Sequence, residues 1–232
     1  ASSSTPSNLT NVNGTLFFSA NNGTNGVELW KSDGTMAGTV IVNDIYTGAT
    51  ASTPSSLTNV NGTLYFSANN GTNGVELWKS DGTMAGTVLV SDIYAGATSS
   101  TPSNLTNVNG TLYFSANNGT NGVELWESDG TSPGTLPVSD IYPGAPSSGP
   151  ASFTNINGVL YFSANDGVAG VEIWKRDDAA GTTELVRDIN SGDNSSLPQN
   201  LTNVNGILYF QATNGIDGTE LWKSDGTMAG TI

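Results

Sequence analysis

Short apolar segments separated by glycine and asparagine turns recur along the whole chain. The first series begins with SNLTNV, which leads into Asn13-Gly14, TLFFSA, the polar loop NNGTNG and VELWKS. The segment TVIVNDIY, residues 39–46, follows the next turn, Asp33-Gly34. Asn-Gly between apolar segments is a strong hairpin signal, because both residues tolerate positive φ. The pattern therefore predicts four short antiparallel strands in each unit.

The unit repeats every 48 residues, and residues 1–48 match residues 49–96 at 41 of 48 positions. The tryptophans keep this spacing at Trp30, Trp78, Trp126, Trp174 and Trp222. The predicted turns recur with them at Asn13-Gly14, Asp33-Gly34, Asn61-Gly62, Asp81-Gly82, Asn109-Gly110, Asp129-Gly130, Asn157-Gly158, Asn205-Gly206 and Asp225-Gly226. Apolar residues on both faces of the strands are typical of sheets covered on both sides. We predict an all-β fold, a five-bladed β-propeller of four-stranded antiparallel blades, with a linear stack of sheets as the alternative.

One domain is expected over residues 1–232, with blades at about 1–48, 49–96, 97–144, 145–192 and 193–232. The last repeat is incomplete, because the eight residues that would correspond to IVNDIYTG (41–48) are lacking. One blade should therefore lack a strand, and ring closure should use contacts between the first and fifth blades. The chain starts at Ala1 without a methionine, which suggests a processed or excised segment.

Three explanations of the lacking strand remain open. The chain is a segment of a longer array, or one blade has three strands, or a strand from a neighbouring chain completes the sheet. The third explanation would link copies into oligomers or fibres by β-augmentation.

Composition removes several classes of function. The chain has no cysteine and no histidine, so disulfides, thiolate metal sites and Ser-His-Asp or Cys-His catalysis are excluded. Six basic against 20 acidic residues give a net charge of −14, which disfavours nucleic-acid and anionic membrane-surface binding. No apolar run approaches the ~20 residues of a transmembrane helix, so no membrane insertion is expected. Few lysines among many Ser, Thr and Asn residues favour a secreted surface protein.

The sequence ELW at 28–30, followed by DGT at 33–35, resembles the ELWxxDGT repeat of bacterial secreted and surface proteins. The resemblance covers essentially the whole chain and is complete at 76–83, 124–131 and 220–227. The fourth copy departs from it, with Ile173 for leucine and DDA at 177–179, so the same turn is not expected there. The resemblance implies a location at the cell surface and no defined activity.

Two roles are open for the five tryptophans. They pack between adjacent blades, or they stack on sugars in a multivalent lectin with up to five equivalent sites. Glu28, two residues earlier, is expected to cap backbone groups or to pair with Lys31, and Asp33 to make an Asx bond in its turn. Four further aspartates, at the end of each fourth strand, should anchor the loop that follows: Asp44, Asp92, Asp140 and Asp188.

Other candidate sites are weaker. The NNGTNG loops offer amide and carbonyl oxygens for calcium but few carboxylates, and hydrogen-bonded turns are the alternative. The fourth repeat alone carries a cluster of charges, which divergence of a surface loop explains: Arg176, Asp177, Asp178, Glu184, Arg187 and Asp193. The Ser/Thr/Pro-rich segments at 47–56, 95–104 and 143–152 are expected to be exposed linkers.

Taken together, the sequence predicts a non-enzymatic extracellular structural or adhesive module, self-associating into oligomers or fibres. The alternative is the lectin, with glycans as partners. A paired-carboxylate hydrolase is the weakest hypothesis, because the blades are nearly uniform. No cofactor is expected apart from the possible calcium.

Overall fold

The computed structural model describes residues 3–232, which form five antiparallel sheets. Sheets 1 to 4 have four strands each and sheet 5 has three, and every sheet follows the chain in strand order. The predicted all-β fold of four-stranded antiparallel sheets is confirmed. None of these residues belongs to a helix long and apolar enough to cross a membrane.

The strand bounds repeat almost identically from sheet to sheet. Sheet 1 contains β1 Ser7–Val12, β2 Thr15–Asn21, β3 Val27–Ser32 and β4 Val40–Asn43. Sheet 2 contains β5 Ser55–Val60, β6 Thr63–Asn69, β7 Val75–Ser80 and β8 Val88–Ser91. Sheet 3 contains β9 Ser103–Val108, β10 Thr111–Asn117, β11 Val123–Ser128 and β12 Thr135–Ser139. Sheet 4 contains β13 Ala151–Ile156, β14 Val159–Asn165, β15 Val171–Asp177 and β16 Thr182–Arg187, and sheet 5 contains β17 Gln199–Val204, β18 Ile207–Thr213 and β19 Thr219–Ser224.

The first hairpin of each sheet turns on an Asn-Gly pair. Val12 pairs with Thr15, and Asn13 and Gly14 between them have φ of 52° and 85°. Two successive positive φ values define the type I′ turn, which matches the twist of the flanking strands. The same backbone recurs at Asn61-Gly62, Asn109-Gly110, Asn157-Gly158 and Asn205-Gly206.

The fourth strand of sheet 1 is shorter than the predicted 39–46, because the chain turns away after Asn43. The Asp44 carboxylate accepts the Gly48 amide at 3.2 Å and the Asn25 side-chain amide at 2.8 Å. These bonds fold residues 44–48 into a loop, as expected for this aspartate. The equivalent carboxylates of Asp92, Asp140 and Asp188 accept the amides of Gly96, Gly144 and Gly192.

Successive sheets pack face to face. The core between sheets 1 and 2 combines Val12, Phe17, Leu29, Val42 and Ile45 of repeat 1 with Leu64, Phe66, Ala68 and Trp78 of sheet 2. We call the face that carries Phe17, Leu29 and their equivalents the forward face. The opposite face, which carries Leu64, Phe66, Trp78 and their equivalents, is the rear face. Each junction thus joins a forward face to the next rear face.

The series of sheets is open. The first strands of consecutive sheets pack on one another from β1 to β17, but no packing of comparable extent joins sheets 1 and 5 within residues 3–232. The predicted contact between the first and fifth blades is therefore wrong for this structure. In consequence, apolar side chains are uncovered at both ends, where Leu9 is 64% and Leu221 is 75% exposed.

Candidate functional site

The repeated glutamate of ELW forms a buried clamp at each junction between sheets. Glu28 is fully buried, and its carboxylate accepts the Ser52 amide at 2.8 Å, the Ser52 hydroxyl at 2.5 Å and the Ile45 amide at 2.9 Å. The Ser52 carbonyl in turn accepts the amide of Asn69 in sheet 2 at 3.0 Å. One carboxylate therefore ties sheet 1 to the segment that enters sheet 2.

This Glu–Ser clamp recurs at the next three junctions with nearly constant geometry. The carboxylates of Glu76, Glu124 and Glu172 each accept a serine amide at 2.8 Å and the same serine hydroxyl at 2.6 Å. The serines are Ser100, Ser148 and Ser196, and the additional amides come from Ile93, Ile141 and Ile189. Of the two expectations for the glutamate, backbone capping is the one seen.

Burial raises the pKa of all four clamp carboxyls above the ordinary value of 4.5, and the donated hydrogen bonds offset part of the rise. A buried carboxylate is costly unless donors satisfy its oxygens. Three donors converge on each clamp carboxylate, so its chemistry here is that of a structural acceptor.

The clamp serines correct one prediction. The Ser/Thr/Pro segments at 47–56, 95–104 and 143–152 were expected to be exposed, yet their serines Ser52, Ser100 and Ser148 are at most 3% exposed, and the equivalent Ser196 is 1% exposed. The sequence did carry a signal, because a serine recurs at this position every 48 residues. The polar composition of the segment concealed this signal, because one buried serine does not change the average polarity.

The tryptophans lie on the rear faces. Trp78 and Trp126 are 8% and 6% exposed and belong to the cores against sheets 1 and 2. Trp174 and Trp222 are half-buried and pack against the cores of the next two junctions. Trp30 lies on the rear face of sheet 1, which no other sheet of residues 3–232 covers, and lines a cleft of about 350 Å³.

The Asp-Gly pairs begin a longer loop than the predicted tight turn. In sheet 1 the loop covers residues 33–39, and Asp33 Oδ1 accepts both the amide and the hydroxyl of Thr35, at 2.9 and 2.8 Å. The Thr35 hydroxyl accepts the Gly38 amide at 2.9 Å. The expected Asx bond is thus present, and these bonds lower the pKa of the exposed Asp33 carboxyl. The pKa is lowered in the same way at Asp81, Asp129 and Asp225.

Three of the four Asp-Gly loops, those of sheets 2, 3 and 5, also receive a lysine from the sheet before them. Lys31 Nζ donates to the Gly82 carbonyl at 2.7 Å, and Lys79 Nζ to the Gly130 carbonyl at 2.9 Å. Lys175 Nζ donates to the Gly226 carbonyl at 2.8 Å. The lysine of ELWKS is therefore a junction residue.

The junction between sheets 3 and 4 replaces this contact with another. Glu127 stands where the other forward faces have lysine, and Arg176 Nη2 of sheet 4 lies 4.0 Å from its carboxylate. Arg176 Nε also donates to Asp178 at 2.9 Å, and the Tyr113 hydroxyl of sheet 3 donates to Asp178 as well. Burial, followed by the hydrogen bond to Asp178, raises the pKa of Tyr113.

The charged cluster of the fourth repeat is consequently more than a divergent surface loop. Arg176 and Asp178 bind sheet 3. Arg187 Cζ lies 5.9 Å from the ring centroid of Trp222 in sheet 5. Glu184 pairs with Lys175 within sheet 4 at 3.0 Å, while Asp193 is exposed in a loop. The turn of this repeat is indeed different: residues 178–181 form a shorter loop in which Asp177 accepts the amides of Ala179 and Ala180.

The NNGTNG loops use their amides internally. Asn22 Oδ1 accepts the amides of Thr24 and Asn25, and Asn25 Nδ2 donates to Asp44. In residues 3–232 no three carboxylates come together as a group able to hold a metal ion. These loops therefore give no support to the calcium hypothesis.

At the two ends of the series, the residues that correspond to the clamp glutamate and the clamp serine are uncovered. Glu220, the fifth glutamate of the repeat, is exposed, and its carboxylate accepts no hydrogen bond within the described residues. Ser4, the serine at the matching position of repeat 1, is exposed as well. Beside β19, Ile232 pairs with Lys223 through two bonds of 2.9 Å, where a fourth strand would begin.

No protein-family model matches the chain, and a search of curated proteins gives no match. Solved structures do share its fold. The chain is similar to the β-propeller-like domain of prolyl endopeptidases, with 11% identity and a TM-score of 0.59, over 96% of this chain and 34% of that one. A puromycin-hydrolyzing peptidase of Mycobacterium tuberculosis gives 9% identity and 0.58 over 98% and 37%, and prolyl oligopeptidase B of Galerina marginata 11% and 0.57 over 97% and 35%. The chain spans about a third of these proteins, and identities this low show the fold alone.

Proposed function

We propose that the chain is a non-enzymatic structural or adhesive module of the bacterial cell surface that associates with itself. The observation that carries this proposal is that the repeated residues serve to hold the sheets together. The glutamate, the tryptophan and the Asp-Gly-Thr turn of ELWxxDGT all make contacts within or between sheets. The resemblance to surface repeats supports the location.

The clamp glutamates show why the repeated chemistry favours a scaffold. A general acid or base needs a proton path to its substrate. The Glu76 carboxylate is fully buried and bonded to Ile93 and to both donors of Ser100. Such a carboxylate holds two sheets together and is not accessible to a ligand.

A lectin remains the second candidate on one observation. Trp30 lines an apolar cleft with Phe18 and Ala20 on the open rear face of sheet 1. A half-buried indole beside a cleft of about 350 Å³ has room for one sugar ring. This geometry favours one glycan site rather than five equivalent ones.

Two measurements on the purified chain test the proposal. Labelled chain should bind intact bacterial cells, and excess free sugars should not displace it. Tryptophan emission should stay unchanged across a panel of sugars, because Trp78 and Trp126 are covered. Sugar-dependent quenching that Trp30→Ala abolishes would favour the lectin. Turnover of ester, peptide or glycoside test substrates would overturn the non-enzymatic assignment.

A further inference from the structure

The forward face of sheet 5 is an uncovered copy of a face that is buried four times in the same chain. Leu221 is 75% exposed, whereas its equivalents are fully buried: Leu29, Leu77, Leu125 and Ile173. Val204 is 46% exposed, whereas the equivalent Val12 is buried. Lys223 and Glu220 lie exposed on the same sheet.

The rear face of sheet 1 is the opposite half of such a junction, and it is also uncovered. Leu9 is 64% exposed, whereas the equivalent Leu57 is packed against the first core. Trp30 lines an open cleft there, whereas the equivalent Trp78 is closed under sheet 1. The two ends of the chain thus expose the two complementary halves of one interface.

The glycine turns show the same uncovered surfaces at the level of single residues. At Gly82 and Gly226 an added Cβ would meet Phe17 or Tyr161 of the preceding sheet, at 3.1 and 2.3 Å. At Gly34 of sheet 1 it would meet no atom of residues 3–232 within 4 Å. The equivalent aromatic with no turn to cover is Tyr209 of sheet 5.

A second pair of positions repeats this relation. Asn13 approaches Gly62 so closely that an added Cβ would lie 2.5 Å from its Nδ2, and Asn157 approaches Gly206 to 2.8 Å. An added Cβ at Gly14 would meet no atom of the described residues within 4 Å, and the asparagine that lacks a partner glycine among them is Asn205. Polar and apolar contacts therefore specify the same register.

We propose that a second copy of this chain docks head to tail, with the rear face of its sheet 1 on the forward face of sheet 5. In the docked pair Glu220 accepts Ser4 of the second copy, Leu221 packs under its Trp30, and Lys223 donates to its Gly34 carbonyl. The proposal deepens the proposed self-association and rests on it. It assigns the contact to whole sheet faces instead of one added strand.

The docked junction follows the internal ones except for one segment. Val42, Ile45 and the Tyr46 ring over Gly71 contribute to the first junction, and their equivalents would follow Ile232. Adding IVNDIYTG after Ile232 should therefore tighten association, by at least tenfold in dissociation constant if one apolar side chain is newly buried. Because each copy carries a charge of −14, added salt should also favour assembly.

Because the two faces differ, the contact is heterologous and leads to rings or filaments. That property gives a sharp test with Leu221→Asp, which breaks only the forward face, and Leu9→Asp, which breaks only the rear face. Both side chains are exposed in the single chain, so neither change touches a core. Met84→Asp, at a loop residue 70% exposed, is the matched control.

Light scattering on a sizing column gives the masses. The unchanged chain and the Met84→Asp control should exceed the 23.8 kDa of one chain increasingly with concentration. Each of the two face variants should stay at one chain, and their equimolar mixture should form a pair and nothing larger. Circular dichroism and melting confirm that each variant is folded.

Other outcomes overturn the docking. An unchanged chain that stays monomeric at all concentrations, with or without the eight-residue extension, has either closed on itself or needs another partner. Association of Leu9→Asp alone would indicate a contact between two like faces. The proposed function fails separately: monomers that still bind cells leave it standing, and assemblies that bind no cells remove its adhesive part.

Discussion

The interior junctions and the two ends of the molecule carry the same residues in opposite environments. Glu76 is fully buried and accepts three hydrogen bonds, whereas Glu220 is exposed and accepts none within the described residues. Leu77 is 0% and Leu221 is 75% exposed, although both lie in a segment ending in ELWKS. The environment of a residue in this fold is therefore set by the neighbouring sheet.

This difference has a direct energetic consequence. In a repeat array each unit contacts only its neighbours, and stability is approximately a sum over units and junctions. A substitution at an interior position removes part of a junction, while the equivalent substitution at an end removes nothing from the single chain. Paired substitutions therefore separate the contribution of the junction from that of the unit.

The largest effect is expected for the leucine of ELW. Leu77→Ala should lower the free energy of unfolding by about 2–5 kcal/mol, because it leaves a cavity between sheets 2 and 3. Leu221→Ala should change it by less than about 0.5 kcal/mol. Urea unfolding followed by tryptophan fluorescence measures both, at concentrations where the chain is monomeric. Equal losses at the two positions would show that sheet 5 is covered in solution.

The clamp glutamate comes next. Glu76→Gln keeps the shape but turns a donor toward one of the amides of Ile93 and Ser100, so about 1–3 kcal/mol should be lost. Within residues 3–232 Glu220 has no such partners, so Glu220→Gln should be neutral within about 0.5 kcal/mol. The same urea titration measures this pair. A neutral Glu76→Gln would mean that the clamp is dispensable, and the Ser100→Ala variant would then be neutral too.

The third comparison isolates packing from backbone strain. Gly130 and Gly34 have φ of 87° and 90°, so alanine is strained by a similar amount at both positions. An added Cβ at Gly130 would lie 2.1 Å from the Tyr65 hydroxyl oxygen, whereas at Gly34 it meets no atom of the described chain within 4 Å. Gly130→Ala should therefore cost about 1 kcal/mol more than Gly34→Ala. Thermal melts of the two variants measure the difference, and Tyr65→Phe should remove most of it, because the ring carbon Cζ would still lie 3.2 Å from the added Cβ.

Much of this architecture follows from the sequence because the local signals agree with one another. The Asn-Gly pairs predict the hairpins, since Asn13 and Gly14 both need positive φ. The apolar residues on both faces predict sheets that are covered on both sides. Ring closure was predicted wrongly, because closure depends on the angle between consecutive sheets and no residue pattern states that angle.

The clamp was only half predictable. The glutamate was expected to cap backbone groups, but its partner Ser52 lies 24 residues further along the chain in a segment of low complexity. Only the three-dimensional register brings the two together. The exchange of lysine for Glu127 opposite Arg176 was equally hidden, because the two residues lie in different repeats and meet across a junction.

The smallest effects concern pH, and here the sign of the shifts matters. The pKa of Glu76 is raised by burial, so the folded chain takes up a proton before the unfolded chain does. Stability should therefore rise as pH falls from neutral, until the ordinary value of 4.5 is passed. The pKa of Asp81 is lowered from 3.8, so stability should be lost as pH falls below that value.

A stability maximum between pH 3.8 and pH 4.5 should therefore appear in melting temperatures measured across the acid range. Relief of repulsion among the excess negative charges also favours mild acid, but it acts alike on every variant of equal charge. Glu76→Gln and Glu220→Gln each remove one charge, and only the first removes a buried carboxyl. The rise in melting temperature from neutral to mild acid should be smaller for Glu76→Gln than for Glu220→Gln. Identical profiles would mean that burial does not raise the pKa of Glu76, and that the junction is open to water.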